Sequence, residues 1–423
     1  MERTATPASL RDEEIFDVIV IGAGPAGATA ATLLARAGST VALVDKAEFP
    51  RDKCCGDGLT TLALRELEAL GLDPASVPNW CNVDAAWLRS PSGREVCVPL
   101  PSSGKDSVGI YAATTPRREL DAALVDLARA AGADLRFGHA VTNVTQRPDG
   151  VVVDVGVDER ASSVRARYVI AADGMWSPTR KLLGHAEPGY LGEWHAFRQY
   201  ARNVTGPAAH RLYVWFEADL LPGYAWSFPL PGGRANVGFG VQRDGKRMGK
   251  DMAALWEDLL QRPHIVDALG SAVEMEGRHT AWPIPAGIDR ATLADGRVLF
   301  VGDAAMATDT MTGEGIGQAV LTGRLAAEAI ITVGNLGPPA VSAAFERDVR
   351  HHLVADHRMS KVLSRALARR RGARGAIRLL SINAWTRRNF ARWMFEDEPR
   401  ALLFTPRRWH RGFLRQPGAY RSH

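Results

Sequence analysis

The sequence predicts an α/β fold in which a nucleotide-binding domain is interrupted by a mainly antiparallel β-sheet domain and followed by a helical tail. A β-branched run at 15–21 ends at a glycine and leads into an alanine-rich helical stretch and a second strand at 41–44, the order of a right-handed parallel crossover. Aromatic, alternating segments from about residue 189 are typical of a separate sheet. Arginines at four-residue steps near the end, at positions 370, 374 and 378, indicate a helix.

Composition excludes several classes of protein. The chain has 423 residues, 46% hydrophobic, which is too large and too apolar for a disordered tail or a disulfide-stapled miniprotein. Cys54, Cys55, Cys81 and Cys97 give neither a disulfide framework nor the spacing of a zinc site, so we expect no metal. We see no export signal in residues 1–14 and no run of eighteen apolar residues, so we expect a cytoplasmic protein with reduced thiols.

The first strand ends in a Gly-Ala-Gly-Pro-Ala-Gly loop. Glycines at this point allow a tight turn and a close approach to a pyrophosphate, which the N-terminus of the following helix then faces. Asp45, at the end of the second strand, is placed to accept hydrogen bonds from an adenosine ribose, and Lys46 follows it. A GxGxxG motif alone is weak evidence, but this strand–helix–strand context favours a Rossmann-like dinucleotide site. The candidate contacts in the loop are Gly22, Gly24, Ala26 and Gly27.

Two further pairs of glycine and aspartate lie where strands end, Asp173-Gly174 and Gly302-Asp303. Each pair alone is more often an ordinary turn. Together with the first loop, and in this order, they resemble the three fingerprints of the FAD-dependent hydroxylase and reductase superfamily, the para-hydroxybenzoate hydroxylase-like proteins. The resemblance implies that the first loop holds the FAD pyrophosphate, that Asp173 and Gly174 contact the cofactor region, and that Asp303 binds the ribityl chain.

Two more segments carry candidate cofactor contacts under the same resemblance. Gly313, Gly315 and Ile316 open the last long helix, where backbone amides could stabilise negative charge on a reduced flavin. Arg117 matches the arginine that the superfamily places near the cofactor. The alternative for Arg117 is a solvated arginine at the start of a helix.

Two motifs narrow the family. Residues 50–58 read Pro-Arg-Asp-Lys-Cys-Cys-Gly-Asp-Gly, and residues 224–240 contain Tyr-Ala-Trp-Ser-Phe-Pro followed by Asn-Val-Gly-Phe-Gly. Both resemble the geranylgeranyl reductase family of FAD-dependent oxidoreductases, over about residues 15–345. The resemblance implies a site near the flavin formed by Cys55, Gly56, Asp57, Tyr224 and Trp226. Of these, Cys55, Tyr224 and Trp226 are the candidate catalytic residues.

The residues of the second motif fit a long apolar substrate. Tyr224, Trp226 and Phe228 alternate and therefore share one face of a strand, where rigid aromatic rings can line a prenyl chain. The alternative is plain sheet core. Cys55 is either a small buried hydrophobe or a proton donor or charge-tuning group whose pKa is lowered by Lys53 and the glycine-rich turn. Candidate proton donors are Cys55, Tyr224 or an ordered water.

The resemblance implies that NADPH or NADH passes hydride to FAD and that the reduced flavin then hydrogenates a carbon–carbon double bond of an isoprenoid or other hydrophobic substrate. No second GxGxxG motif is present, so we expect the nicotinamide to bind transiently. The alternatives are a flavin-dependent monooxygenase, a halogenase, and a non-catalytic flavin or lipid carrier. The halogenase signature WxWxIP is not met, because Tyr224 and Phe228 stand at its first and fifth positions.

We predict an FAD-binding domain formed by residues 1–80, 112–188 and 281–345, a substrate-binding domain formed by 81–111 and 189–280, and a basic helical C-terminal region, 346–423. The formal net charge of the chain is +5, yet residues 358–423 hold 17 Lys and Arg against three acids, a net +14 that leaves −9 on residues 1–357. Three interpretations remain open: nucleic-acid binding, which we do not expect without a recognised module, docking on a membrane surface, and a cap that packs on the acidic body.

Overall fold

The computed structural model describes residues 15–100, 109–157, 160–243, 249–380, 382–401, 404–409 and 418–421. The strands in these ranges are β1 (Ile15–Ile21), β2 (Val41–Asp45), β3 (Gly58–Leu59), β4 (Cys81–Asn82), β5 (Ala85–Arg89), β6 (Glu95–Pro99), β7 (Ala113–Thr114), β8 (Asp134–Phe137), β9 (Ala140–Arg147), β10 (Gly150–Val157), β11 (Arg160–Ala171), β12 (Trp194–Arg202), β13 (Leu212–Trp215), β14 (Tyr224–Leu230), β15 (Arg234–Gln242), β16 (Glu274–Ile284), β17 (Ala294–Asp295) and β18 (Val298–Phe300). The α-helices are α1 (Pro25–Arg36), α2 (Thr61–Leu70), α3 (Arg117–Ala130), α4 (Pro178–Leu182), α5 (Gly249–Gln261), α6 (Pro263–Leu269), α7 (Ile316–Val333), α8 (Pro338–Val349), α9 (Ala355–Leu367), α10 (Arg370–Leu380) and α11 (Ala384–Met394). These elements confirm the predicted α/β fold class.

The central sheet contains eight strands. Its main path runs β17-β18-β11-β1-β2-β8, and β10 and β9 extend from β11. Strands β18, β11, β1, β2 and β8 are parallel, and the register places Ile21 beside both Val44 and Ala171. The carboxyl ends of these strands therefore meet at one edge, which is where ligands bind in doubly wound sheets.

One prediction for this sheet needs adjustment. The sequence indicates a three-stranded meander at 140–167 and a separate buried strand at 168–172, but β11 runs without a break from Arg160 to Ala171. Residues 160–166 of β11 pair with β10, and residues 165–171 pair with β1. The apolar pattern becomes continuous only where the strand enters the sheet and is covered on both faces. The predicted turn at 158–160 falls partly on residues 158–159, outside the described ranges.

The second sheet has seven strands in the order β16-β12-β15-β14-β13-β5-β6. All neighbours are antiparallel except β13 and β5, which are parallel, so the prediction of a mainly antiparallel sheet is confirmed. Trp256 of α5 and Ile265 of α6 pack on one face, against Ala225, Val237 and Phe239. Strands β3, β4 and β7 form a short third sheet in the order β3-β7-β4, and β4 and β7 flank β5 and β6 in the sequence.

Helix α7 packs against α1, α2 and α8. Within the described ranges, residues 316–336 are the one helical stretch long and apolar enough to cross a membrane, but 67% of that stretch is buried in the fold. Burial against three other helices is sufficient reason for its apolar composition.

The C-terminal region packs on the body of the protein. Ile377 and Leu380 of α10 join a buried cluster with Leu88 of β5 and Val214 of β13, and Phe395 after α11 joins the same cluster. This is the packing that the cap interpretation predicts. It also places the C-terminal helices over the second sheet.

Candidate active site

A cavity of about 1260 Å³ opens at the carboxyl edge of the central sheet. Its walls come from the loops after β1, β2, β11 and β18, from β14 of the second sheet, and from α9, α10 and α11. The predicted site residues that line it are Gly22, Gly24, Ala26, Asp45, Lys46, Cys55, Gly56, Arg117, Asp173, Gly174, Tyr224, Trp226, Gly302, Asp303, Gly313, Gly315 and Ile316. Two predicted contacts, Gly27 and Asp57, are not among the residues that line it.

The dinucleotide loop has the geometry that a pyrophosphate needs. Gly22 has φ 100°, and a Cβ there would lie 2.3 Å from the carbonyl oxygen of Ala172, so only glycine fits. Gly24 is the N-cap of α1 and lies in the cavity wall, where a Cβ would be in contact with the Arg51 guanidinium at 3.6 Å. Gly27 instead serves packing, because a Cβ there would lie 1.8 Å from the carbonyl oxygen of Gly22. The loop and the N-terminus of α1 therefore fit the phosphates of FAD.

Asp45 holds this loop in place. Its carboxylate accepts hydrogen bonds from the backbone nitrogen of Ala23, at 2.7 Å, and from that of Ala47, at 2.8 Å. The side chain still lines the cavity. A ribose contact through Asp45 stays a prediction.

The loops after β11 and β18 are fastened to each other. Asp173 accepts a hydrogen bond from the backbone nitrogen of Thr179 at 2.9 Å, and Ser177 caps the same helix through the nitrogen of Arg180 at 3.0 Å. The Arg180 guanidinium donates to the carbonyl of Ala304 at 2.9 Å, in the loop that follows Gly302. The two fingerprint aspartates are thereby held at one edge of the cavity.

Cys55 does not have the reactive thiol that one alternative predicted. Burial raises the pKa of the Cys55 thiol to about 11, so the prediction that Lys53 lowers it is wrong. The Lys53 ammonium lies 3.8 Å from the carboxylate of Asp303 and 4.2 Å from the ring centre of Trp282. Because Lys53 is engaged there, its charge does not outweigh the loss of water around Cys55.

Asp57 supports the cavity wall from behind. Its carboxylate accepts hydrogen bonds from the Tyr200 hydroxyl at 2.7 Å, from the Asn236 amide at 2.8 Å and from the backbone nitrogen of Arg117 at 3.2 Å. Burial raises the pKa of Asp57 to about 6. This placement does not support the predicted cofactor contact of Asp57 and indicates a structural role between the second sheet and helix α3.

Arg117 is buried rather than solvated. Its guanidinium binds both carboxylate oxygens of Asp121, one turn later on α3, at 2.8 and 2.9 Å. Arg51 approaches the same carboxylate at 3.3 Å. The alternative of a solvated arginine is therefore wrong, and Arg117 presents a fixed positive charge to the cavity.

The aromatic strip on β14 is confirmed as a shared face. Tyr224, Trp226 and Phe228 all line the cavity, with neighbouring ring centres 6.0 and 6.1 Å apart. The Trp226 indole donates to the Asn236 side chain at 3.1 Å, and the Tyr224 hydroxyl donates to the carbonyl of Thr312. These bonds satisfy the polar atoms of both side chains, so the strip presents mainly apolar ring surface.

The loop before α7 contains a site residue that sequence reasoning missed. Glu314 lines the cavity, and its carboxylate accepts hydrogen bonds from the backbone nitrogens of Ile316 at 3.0 Å and Gly317 at 3.1 Å. The amides predicted to face a flavin are therefore occupied in part by Glu314. The sequence signal that could have identified Glu314 was an acidic residue between Gly313 and Gly315.

The C-terminal region also contributes site residues that were not predicted. Their apolar spacing along the tail was visible in the sequence, but nothing local indicated which surface they cover. The tail residues in the cavity wall include Leu363, Leu367, Ala373, Ile377, Leu380, Phe390, Trp393 and Met394.

Sequence comparisons place these features in a known group. The family model described as an FAD binding domain matches residues 16–353. The menaquinone reductase of Mycolicibacterium smegmatis is 33% identical over 343 residues, which cover 75% of this chain and 77% of that protein. Digeranylgeranylglycerophospholipid reductase 1 of Methanopyrus kandleri is 33% identical over 322 residues, covering 75% of this chain and 80% of that protein.

Structural comparisons show the same fold. A geranylgeranyl bacteriochlorophyll reductase-like protein of Thermoplasma acidophilum superposes with a TM-score of 0.79 and 22% identity, covering 93% of this chain and 99% of that one. The flavin-dependent halogenase CmlS superposes with a TM-score of 0.69 and 23% identity, covering 84% of this chain and 65% of that one. Likeness of fold alone does not distinguish a reductase from a halogenase. The relatives that match in sequence, and the motifs at residues 50–58 and 224–240, favour a reductase. The chain therefore belongs to the geranylgeranyl reductase family and is an FAD-dependent reductase.

Proposed function

We propose that this enzyme uses NADPH or NADH and bound FAD to hydrogenate carbon–carbon double bonds in the prenyl chain of an isoprenoid lipid. The observation that carries the proposal is one cavity that joins the glycine loops of the FAD domain to an apolar wall. That wall is formed by Leu88, Leu212, Val214, Phe216, Trp226, Phe228, Ile377, Leu380 and Phe390. A prenyl chain requires such a lining, with few polar groups. The relatives named for menaquinone and for a digeranylgeranylglycerophospholipid support this substrate class.

The chemistry that FAD supplies when bound is transfer of hydride from a reduced nicotinamide to an alkene carbon. The chain's own residues provide binding and geometry. Gly22 and Gly24 at the N-terminus of α1 would hold the pyrophosphate, and Asp45 and Asp303 would accept hydrogen bonds from hydroxyl groups. The ring faces of β14 would align the prenyl chain and exclude water, which matters because an isolated alkene is a poor electrophile.

The test is anaerobic turnover with product masses. Purified protein with FAD and NADPH is incubated with menaquinone, geranylgeranyl diphosphate or an unsaturated ether lipid, and the products are analysed by mass spectrometry. We expect masses that rise by multiples of two hydrogens, with faster turnover when oxygen is absent. A gain of one oxygen, formed only in air, would instead establish a monooxygenase. Failure of NADPH to bleach the flavin with every lipid would favour a non-catalytic carrier.

We also propose that the enzyme works at an anionic membrane surface, where such a lipid resides. The arginines exposed on α9, α10 and α11 and on the α9–α10 connection are Arg358, Arg365, Arg369, Arg370, Arg371, Arg374, Arg378 and Arg388. Leu379, Ile382 and Trp385 are exposed in the same segment, each by more than 60%. Near an anionic leaflet each cation contributes about 1 kcal/mol, and tryptophan favours the interface. The buried residues of the same helix, Ala373, Ile377 and Leu380, line the cavity, so a docked enzyme would hold its substrate site close to the bilayer.

A further inference from the structure

Three carboxylic acids meet one guanidinium where the loop before α7 contacts the C-terminal region. Asp309 and Glu314 belong to the loop, and Glu396 and Arg400 follow α11. Arg400 is 5% exposed, and its guanidinium lies 3.5 Å from Asp309 and 3.2 Å from Glu396. If all three acids were ionised, two negative charges would stay uncompensated in this cluster, which is costly away from water.

The hydrogen bonds show which acids are stabilised as carboxylates. Asp309 accepts from the Ser360 hydroxyl at 2.6 Å and from the backbone nitrogen of Thr312 at 2.8 Å, in addition to its contact with Arg400. Accordingly, the pKa of Asp309 is lowered although burial alone would raise it, and Arg400 is the largest opposing cause. Asp309 therefore carries the charge that Arg400 neutralises.

Burial also raises the pKa of Glu396, but Glu396 has partners of its own, Arg400 and Thr60, that oppose this rise. It accepts from the Thr60 hydroxyl at 3.0 Å, from the Gln318 amide at 2.9 Å and from Arg400. Glu314, in contrast, accepts from two backbone nitrogens, and the ion pairs of the described residues include none with Glu314. Burial, and then the charge of Glu396, raise the pKa of Glu314 to about 8.

Glu314 is also the acid that reaches the cavity. It lines the wall together with Cys55 and Tyr224, and its charge is among the causes that raise the pKa of both. The Cys55 thiol is a much weaker acid, and the Tyr224 hydroxyl already donates to the carbonyl of Thr312. A general acid works best when its pKa lies near the working pH, which favours the carboxyl group over the thiol and the phenol.

We propose that Glu314 is the acid that donates the proton in alkene reduction, with Glu396 and Arg400 as positioning residues supplied by the C-terminal region. This inference rests on the proposed function. One alkene carbon receives hydride, with its electron pair, from the reduced cofactor. The O–H bond of Glu314 breaks, its proton forms the C–H bond at the neighbouring carbon, and the carboxylate left behind recovers a proton from water. The π bond of the alkene is lost, so atoms and electrons balance.

The protonation of Glu314 can be tested without cofactor or substrate. Infrared difference spectra of the apoprotein between pH 6 and 10 should contain a carboxylic acid C=O band that titrates near pH 8. Glu314→Gln should remove this band and still fold, because the amide oxygen can accept the same two backbone hydrogen bonds. Glu396→Gln removes the neighbouring negative charge, so the titration of Glu314 should move to lower pH.

The control is Glu328→Gln, a change of the same type on the exposed surface of α7, where Glu328 pairs with Arg324. It should leave the band unchanged. A band that survives in Glu314→Gln, or that does not shift in Glu396→Gln, would overturn the proposal.

Kinetics of the FAD-loaded enzyme provide the second test. In single turnover, alkene reduction should slow as pH rises through about 8, because the protonated form is required. Glu396→Gln should move this decline to lower pH. Glu314→Gln should reduce the rate by at least about 100-fold and abolish the decline, while reduction of the flavin by NADPH stays unchanged. Glu314→Asp keeps an acid and should recover part of the rate.

The outcomes separate the two proposals. If the wild-type enzyme reduces alkenes and Glu314→Gln does so equally fast with the same pH profile, Glu314 is not the donor and the proposed function stands. If the wild-type enzyme reduces no alkene at any pH, both proposals fall.

Discussion

Asp57 shows how one buried carboxylate joins the second sheet to helix α3. It accepts hydrogen bonds from Tyr200 of β12, from Asn236 of β15 and from the first residue of α3, Arg117. Asp57→Ala removes the acceptor of all three bonds, although the Asn236 amide keeps its bond to the carbonyl of Cys55, and each unsatisfied buried donor costs about 1–3 kcal/mol. We expect a loss of about 3 kcal/mol or more in the free energy of unfolding, measured with urea. Asp57→Asn should lose less, because its amide oxygen still accepts.

A surface acid gives the matched comparison. The Asp126 side chain is 67% exposed and pairs with Arg129 on the outside of α3. Asp126→Ala should therefore change the free energy of unfolding by less than about 1 kcal/mol. An equal effect of the two alanine variants would contradict the role assigned to Asp57.

The same residue predicts a pH dependence of stability. Burial raises the pKa of Asp57 to about 6 from an ordinary value of 3.8, so the folded protein binds a proton that the unfolded chain has released between these values. Stability from this group is therefore present at low pH and declines as pH rises from about 4 to 6. Relative to Asp57→Asn, the wild-type protein should lose stability across this window. A constant difference between the two proteins would contradict the raised pKa.

The sequence predicts the placement and chemistry of some site residues better than those of others. Gly22 and Asp45 were predicted to line the site from local chain geometry, because both stand at the end of a strand, and both line the cavity. The weak acidity of Cys55 and the placement of Glu314 were not predicted, because they depend on groups far away in the sequence, such as Glu314 for Cys55 and Glu396 for Glu314. Burial and charge at a site are set by the whole set of neighbours that folding assembles.

At the scale of elements, α10 has a buried apolar face and an exposed basic face. Its inner face places Ala373, Ile377 and Leu380 in the protein interior, and its two glycines lie in different surroundings. A Cβ on Gly372 would lie 2.0 Å from the carbonyl oxygen of Ala366, whereas a Cβ on Gly375 would have no neighbouring atom within 4 Å. We therefore expect Gly375→Ala to stabilise the protein by up to about 1 kcal/mol through helix propensity, measured by thermal or urea unfolding.

Gly372→Ala is the matched counterpart, because the same methyl group would collide with the end of α9 and move the two helices apart. We expect it to destabilise the protein and to alter the cavity wall. If both alanine variants raised stability, the close contact between α9 and α10 would be refuted.

The sequence predicted the local elements of the FAD domain and the shared face of β14, because strand–glycine–helix order and two-residue alternation are local patterns. It did not predict that the inner face of α10 lines the cavity. The apolar residues of this helix were visible, but the surface that they cover belongs to β5 and β13, more than 150 residues earlier in the chain. The sequence pattern also wrongly divided the continuous strand β11 into two strands, because the surroundings of β11 change along its length.

At the scale of the whole molecule, the charge difference between body and tail gains a structural explanation. Some C-terminal cations are used internally: Arg392 binds Asp397, and Arg408 binds Asp356 at 2.9 Å. The arginines on the outer face of α10 remain exposed. The cap and the membrane interpretations are therefore compatible, because different arginines serve each.

Removing the whole tail would expose the cavity and break the contact of Arg400 with Asp309, so a charge reversal is the sharper test of membrane docking. The triple variant Arg370→Glu, Arg374→Glu, Arg378→Glu changes exposed side chains on one helix face, where the native like charges already repel one another at i,i+4 spacing. The fold and FAD content should be retained. Sedimentation with vesicles that contain anionic phospholipid should fall to the level seen with neutral vesicles, and 1 M salt should have the same effect on the wild-type protein.

The control reverses three exposed arginines on the body, Arg118, Arg147 and Arg278, and so makes the same change in net charge at other positions. If docking depends on the face of α10, this control protein should bind anionic vesicles nearly as well as the wild type, because its C-terminal region is unaltered. Equal loss of binding in both triple variants would show that overall charge is sufficient. Undiminished binding by the α10 variant would refute the docking face itself, and the exposed arginines would then require another partner.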